Sequence, residues 1–132
     1  MKIKMRWKHD IRNGATIQEF ARMEMHPTMP NHVGVYVDHV TVPIASVSGW
    51  LFLLHVALGN DGYHVSTEYE TPSGGGGVWP STRSRAYKTK KEAFEAGIKD
   101  LLKREYLRQF TGYINRALPI FHAASYVQLT LF

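Results

Sequence analysis

Residues 50–70, WLFLLHVALGNDGYHVSTEYE, constrain the fold more than any other stretch of the chain. Residues 50–58 are apolar at nearly every position, the pattern of a strand covered on both faces. Gly59-Asn60-Asp61-Gly62 then marks a tight turn, because Asn and Gly tolerate the positive φ that two-residue hairpin loops require. Residues 63–70 alternate, with Tyr63, Val65, Thr67 and Tyr69 on one face, and so predict the returning strand. The hairpin commits the chain to antiparallel β structure.

The flanking signals supply the other elements. Residues 2–8 alternate Ile3, Met5 and Trp7 with Lys2, Lys4, Arg6 and Lys8, the signature of a half-buried edge strand. Asn13-Gly14 marks a turn. Thr16 and Glu19 stand at capping-box spacing before a short helix, which Pro27 and Pro30 close. Valines at 33, 35, 37, 40 and 42 predict a further strand that ends at Pro43. Thr89 and Glu92 form a second capping box, followed by Ala93, Phe94, Ile98, Leu101, Leu102 and Tyr106 at helical spacing. Phe94, Ile98, Leu101 and Leu102 share one arc; Lys99, Asp100, Lys103 and Arg104 lie opposite, and Glu95–Lys99 and Asp100–Arg104 are i,i+4 pairs. Pro119 is read as the end of the helical region. The expected fold is α+β: an antiparallel sheet of about four to six strands, one long helix packed on a face and a shorter N-terminal helix. Residues 1–125 are expected to form a single basic domain and 126–132 a C-terminal peptide.

Composition narrows the function. At 132 residues and 44% hydrophobic, the chain suits one domain. It contains no cysteine, which removes disulfides, thiolate metal sites and cysteine nucleophiles. Without a long apolar run or a secretory h-region, it is expected to be cytoplasmic and free of the membrane. The net charge of +5 is unevenly spread. Residues 1–30 hold six Lys/Arg against three acids and 81–132 hold ten against four, while 31–80 hold no Lys or Arg and the acids Asp38, Asp61, Glu68 and Glu70. Such a division builds a positive face for a polyanion, with a DNA or RNA backbone the commonest candidate.

Catalytic and metal signatures are missing. The seven histidines form no helical i,i+4 pair and no H-E-x-x-H, there is no Gly-x-Ser-x-Gly elbow, and the carboxylates are scattered. No catalytic residue, metal site or cofactor is expected. The glycine run 74–77 is followed by Val78-Trp79-Pro80 instead of a helix, so it reads as a mobile hairpin loop rather than a nucleotide cradle. The candidate nucleic-acid contacts are Arg83, Arg85, Lys88, Lys90 and Lys91, which converge on a helix N-terminus whose amides favour anions.

Two local resemblances sharpen these expectations. The stretch KTKKEAFEAGIKDLL resembles the second helix of double-stranded-RNA-binding domains, with Phe94 in place of that motif's later basic residue. Residues 126–132, YVQLTLF, admit a final strand with Val127, Leu129 and Leu131 inward, but Phe132 then falls on the polar side. Gln128-Leu129-Thr130-Leu131-Phe132 resembles the pentapeptide by which bacterial polymerases, repair factors and replication regulators dock on the replicative sliding clamp. The resemblance implies that Leu131 and Phe132 fill an apolar pocket on the clamp, Leu129 adds contact and Gln128 hydrogen-bonds at the rim. The resulting expectation is a small non-enzymatic accessory or regulatory protein that docks on the clamp and touches DNA through its basic face. Its size and charge division suit a phage or other mobile element. The alternatives are a phage-type inhibitor of a host or defence complex, similar to anti-CRISPR proteins, and a small RNA- or DNA-binding domain.

Overall fold

A computed structural model describes residues 14–130, without the side chains of 105, 106 and 127–130. The fold is α+β, as the sequence predicts. A short helix α1 (Ile17–Arg22) precedes four strands, β1 (Val40–Val47), β2 (Trp50–Gly59), β3 (Gly62–Thr71) and β4 (Gly74–Gly77). Helix α2 (Lys90–Lys103), a 3-10 turn (Glu105–Phe110), and helices α3 (Thr111–Asn115) and α4 (Ala117–Thr130) complete the chain. The sheet is an antiparallel meander in the order β1-β2-β3-β4. The strand expected at residues 2–8 lies outside the described residues.

Both capping boxes form. Thr16 accepts from the Glu19 N–H and Thr89 from the Glu92 N–H, while each glutamate reaches back to its cap residue's N–H. Each box satisfies donors that a bare helix start would leave orphaned.

The central hairpin falls on the predicted register, with Gly59 opposite Gly62 and Val56 opposite Val65. The positive φ sits at Gly62 (+133°), whereas neither Asn60 nor Asp61 takes one. Gly62 is further constrained because a Cβ there would stand 2.6 Å from the Tyr87 carbonyl. Strand β2 is buried on both faces, as its apolar run demands: Phe52, Leu54 and Val56 point to the helices, and Leu51, Leu53 and Ala57 to the other side. Above the helical face, one phenylalanine from each of three helices meets the others. Phe20 and Phe121 each lie 6.0 Å or less from Phe94, centroid to centroid, and Phe94–Phe121 is stacked at 4.5 Å. Truncating any one of them would cost about 3–5 kcal/mol by the usual transfer and cavity terms.

Four expectations are corrected. The strand expected from Val33 begins at Val40 and runs through Pro43, which pairs with Leu53 just before a register shift. Pro43 is tolerated because β1 is an edge strand, where the missing N–H breaks no ladder bond. The glycine run 74–77 is itself strand β4, laid so tightly on β3 that a Cβ on Gly77 would meet the Glu68 backbone at 2.7 Å. Pro119 does not end a helix but sits in the first turn of α4, where its missing N–H is one of the orphans in any case. The final-strand reading of residues 126–132 gives way to helix as far as Thr130, and Leu131 and Phe132 lie outside the described residues.

Candidate functional site

The chain leaves the edge of β3 and later returns to it, and the gap becomes a cleft. Glu68 pairs with Gly77 at the end of β4, and Tyr63 pairs with Tyr87, exchanging bonds of 2.7 and 2.8 Å. Between these points residues 78–86 swing onto the face away from the helices. There the Tyr36 N–H donates to the Pro80 carbonyl and the Thr82 N–H to the Gly34 carbonyl. The space left beside Val65, Ser66 and Thr67 is a cleft of about 330 Å³, walled by α2 on one side and by Trp79, Pro80 and Arg85 on the other.

Four cations and one carboxylate line the cleft: Arg85, Lys99, Lys103, Arg104 and Asp100. Thr67 organises the polar floor, donating to Asp100 Oδ2 at 2.6 Å while accepting from Arg104 Nη2 at 3.0 Å. Arg85 lies over the Tyr87 ring. Lys99 and Lys103, one turn apart on α2 and exposed, make no hydrogen bond or ion pair among the described residues. The predicted Glu95–Lys99 pair is replaced by Glu95 facing His122 of α4 at 3.4 Å, whereas Asp100–Arg104 does pair, at 3.6 Å. The helix comes this close to the sheet because of Gly97, whose absent Cβ would lie 2.8 Å from Leu54.

Two histidine relays hold the loop behind the cleft. His64, wholly buried under the Tyr36 ring, bridges Asp61 Oδ1 at 2.8 Å through Nε2 and Ser84 Oγ at 3.0 Å through Nδ1. The hydrogen bond from His64 holds the Asp61 carboxyl below its ordinary range. A Ser-His-Asp chain is the arrangement of hydrolytic nucleophiles. Here the ring is sealed from any leaving group, and the Ser84 N–H and hydroxyl are both directed at the Ser81 carbonyl. What this geometry accomplishes is to latch the 78–86 loop to the hairpin turn. In the second relay His55 accepts from Thr41 at 2.9 Å and donates to Glu68 at 2.7 Å. His39 packs edge-on to His55 with Trp79 against it, and burial depresses its pKa. Among the described residues no group of three or more His, Cys, Asp or Glu could hold a metal.

Of the five predicted phosphate contacts, Arg83, Arg85, Lys88 and Lys91 are exposed just before and at the start of α2, and Arg85 also lines the cleft. Lys90 turns inward: its ammonium donates to the carbonyls of Phe20, at 2.9 Å, and of Met23, and lies over the Phe20 ring. Gln128 and Leu129 fall in the last turn of α4. Sequence reasoning placed Lys99 and Lys103 on a solvated face, where both lie exposed, but missed that this face walls a cleft. It also missed the His64 relay, because Asp61, His64 and Ser84 come together only when the loop folds back.

No protein-family model, curated protein or solved structure matches the chain. No helix among the described residues is long and apolar enough to cross a membrane.

Proposed function

We propose that the protein is a non-enzymatic accessory factor that docks on the bacterial replicative sliding clamp through Gln128, Leu129, Leu131 and Phe132. The observation that carries this reading is the pentapeptide Gln-Leu-Thr-Leu-Phe at 128–132. Two features of the fold support it. The core among the described residues already joins α1, the sheet, α2, α3 and α4 up to Phe121, and Tyr126, the last residue with a described side chain, is 68% exposed. Docking in extended form requires the final turn of α4 to unwind. That turn is the cheapest part of any helix to release, since its carbonyls lack intrahelical partners. Two adjacent apolar anchors then supply the contact area, as hot spots usually do.

The test is co-purification with a bacterial sliding clamp. The wild-type chain is expected to be retained and the Leu131→Ala/Phe132→Ala variant to lose retention by tenfold or more, with an unchanged circular dichroism spectrum. Equal retention of the double variant refutes clamp docking. The exposed cations Arg83, Lys88 and Lys91 fit the second half of the reading, contact with the DNA that a clamp encircles.

A further inference from the structure

We propose that the cleft beside β3 binds an extended acidic peptide, which adds to the sheet as a strand over residues 64–67. The first support is the unused backbone. The reciprocal bonds between Tyr63 and Tyr87 run outward from the sheet, so Tyr63 directs its N–H and C=O away from β2. By the two-residue period of a strand, Val65 and Thr67 do the same. Both pair across β2, with Val56 and Leu54, but β4 reaches only from Glu68 onward. Their outward main-chain groups therefore face the cleft without a strand partner. An unpaired edge of this kind is a template for β-addition. The gap of four residues spans roughly 13 Å at about 3.3 Å per residue, enough for three to four residues of partner.

Charge selects the partner. The side chains of Val65 and Thr67 point toward α2, and an added strand would place every second side chain on that same side. Those side chains meet Lys99, Lys103 and Arg104, so carboxylates belong there. The intervening side chains point toward Trp79 and Pro80, where apolar groups belong. The recognised sequence is thus an alternation of acidic and apolar residues. A nucleic-acid strand satisfies the cations equally well but fits the edge poorly: phosphates accept from N–H groups and leave the carbonyls of Val65 and Thr67 unmatched. The cleft shares no residue with positions 128–132, so this site and clamp docking stand or fall separately.

The experiment is calorimetric titration of the full chain with an eight-residue peptide of alternating Asp and Val. One-to-one binding is expected. N-methylation of the peptide at alternate residues keeps its charge but removes its main-chain donors, and should weaken binding at least tenfold. Lys99→Glu/Lys103→Glu, two exposed changes, should weaken it similarly while the circular dichroism spectrum and thermal midpoint hold. Undetectable binding, equal affinity for the N-methylated peptide, or binding of a twelve-base oligothymidylate in preference to the peptide would each overturn the proposal, the last by assigning the cleft to nucleic acid.

Discussion

Lys90 begins one helix and finishes another. It is the first residue of α2, yet its ammonium reaches the carbonyls of Phe20 and Met23 at the end of α1, with its stem against the Phe20 ring. The last carbonyls of a helix have no intrahelical donor and sit at the negative end of its dipole, so a cation there satisfies both needs. Burial pushes the Lys90 pKa down, and the two carbonyls compensate the charge. Lys90→Met keeps the apolar stem and deletes the donors; the expected loss is about 1–2 kcal/mol in urea unfolding at pH 7. DNA affinity should be unchanged. A variant as stable as wild type, with weakened DNA binding, would restore Lys90 to the phosphate-contacting set. Nothing in its sequence neighbourhood distinguishes Lys90 from Lys91, since the partner lies some seventy positions away.

At the scale of elements, local signals were legible wherever one stretch of chain decides the outcome. The capping boxes at Thr16 and Thr89, the apolar run of β2 and the register about Gly59 and Gly62 all follow from residues within reach of one another. Strand β4 was illegible because glycines carry no β signal, and its reason for being a strand is the close approach of β3. Helix α4 was obscured by Pro119, whose meaning depends on whether it falls early or late in a helix. The cleft was illegible for a related reason: it is made by where residues 78–86 do not run. The latch that holds this loop aside gives a pH prediction. The Asp61 pKa is depressed in the folded state, so its stabilisation is present above the unfolded value of about 3.9 and is lost as pH falls through the native pKa. Asp61→Asn keeps an acceptor for His64 but removes the charge. The variant should be less stable than wild type at pH 7, with the difference closing as the pH is lowered below about 4. Chemical denaturation at a series of pH values reads this directly, and a gap that persists unchanged at pH 3 would show that the carboxylate charge plays no part in the latch.

Over the described residues, the division of charge along the chain becomes a division between layers. The entire sheet, residues 40–77, falls within the stretch that has no Lys or Arg, while the cations among the described residues are Arg22 of α1 and those of residues 83–116, from the segment before α2 through the helices that follow. Of the three acids between residues 40 and 77, Asp61 and Glu68 are each bonded to a histidine in a relay, and Glu70 stands outside the relays. Residues Arg83, Lys88 and Lys91 instead remain exposed just before and at the start of α2. A polyanion is therefore drawn to the segment leading into α2 and not to the sheet. If these three side chains each neutralise a phosphate, DNA affinity falls with salt along a log–log line, and Arg83→Ala/Lys88→Ala/Lys91→Ala should flatten its slope by about 2–3. The same triple variant should retain the clamp, because the pentapeptide is untouched, and should retain the acidic peptide, because none of the three lines the cleft. Measuring all three affinities on one variant separates the surfaces. An unchanged salt slope would remove DNA as a partner of this face, whereas a parallel loss of clamp, peptide and DNA binding would mean that the three changes had disturbed the fold rather than a contact surface.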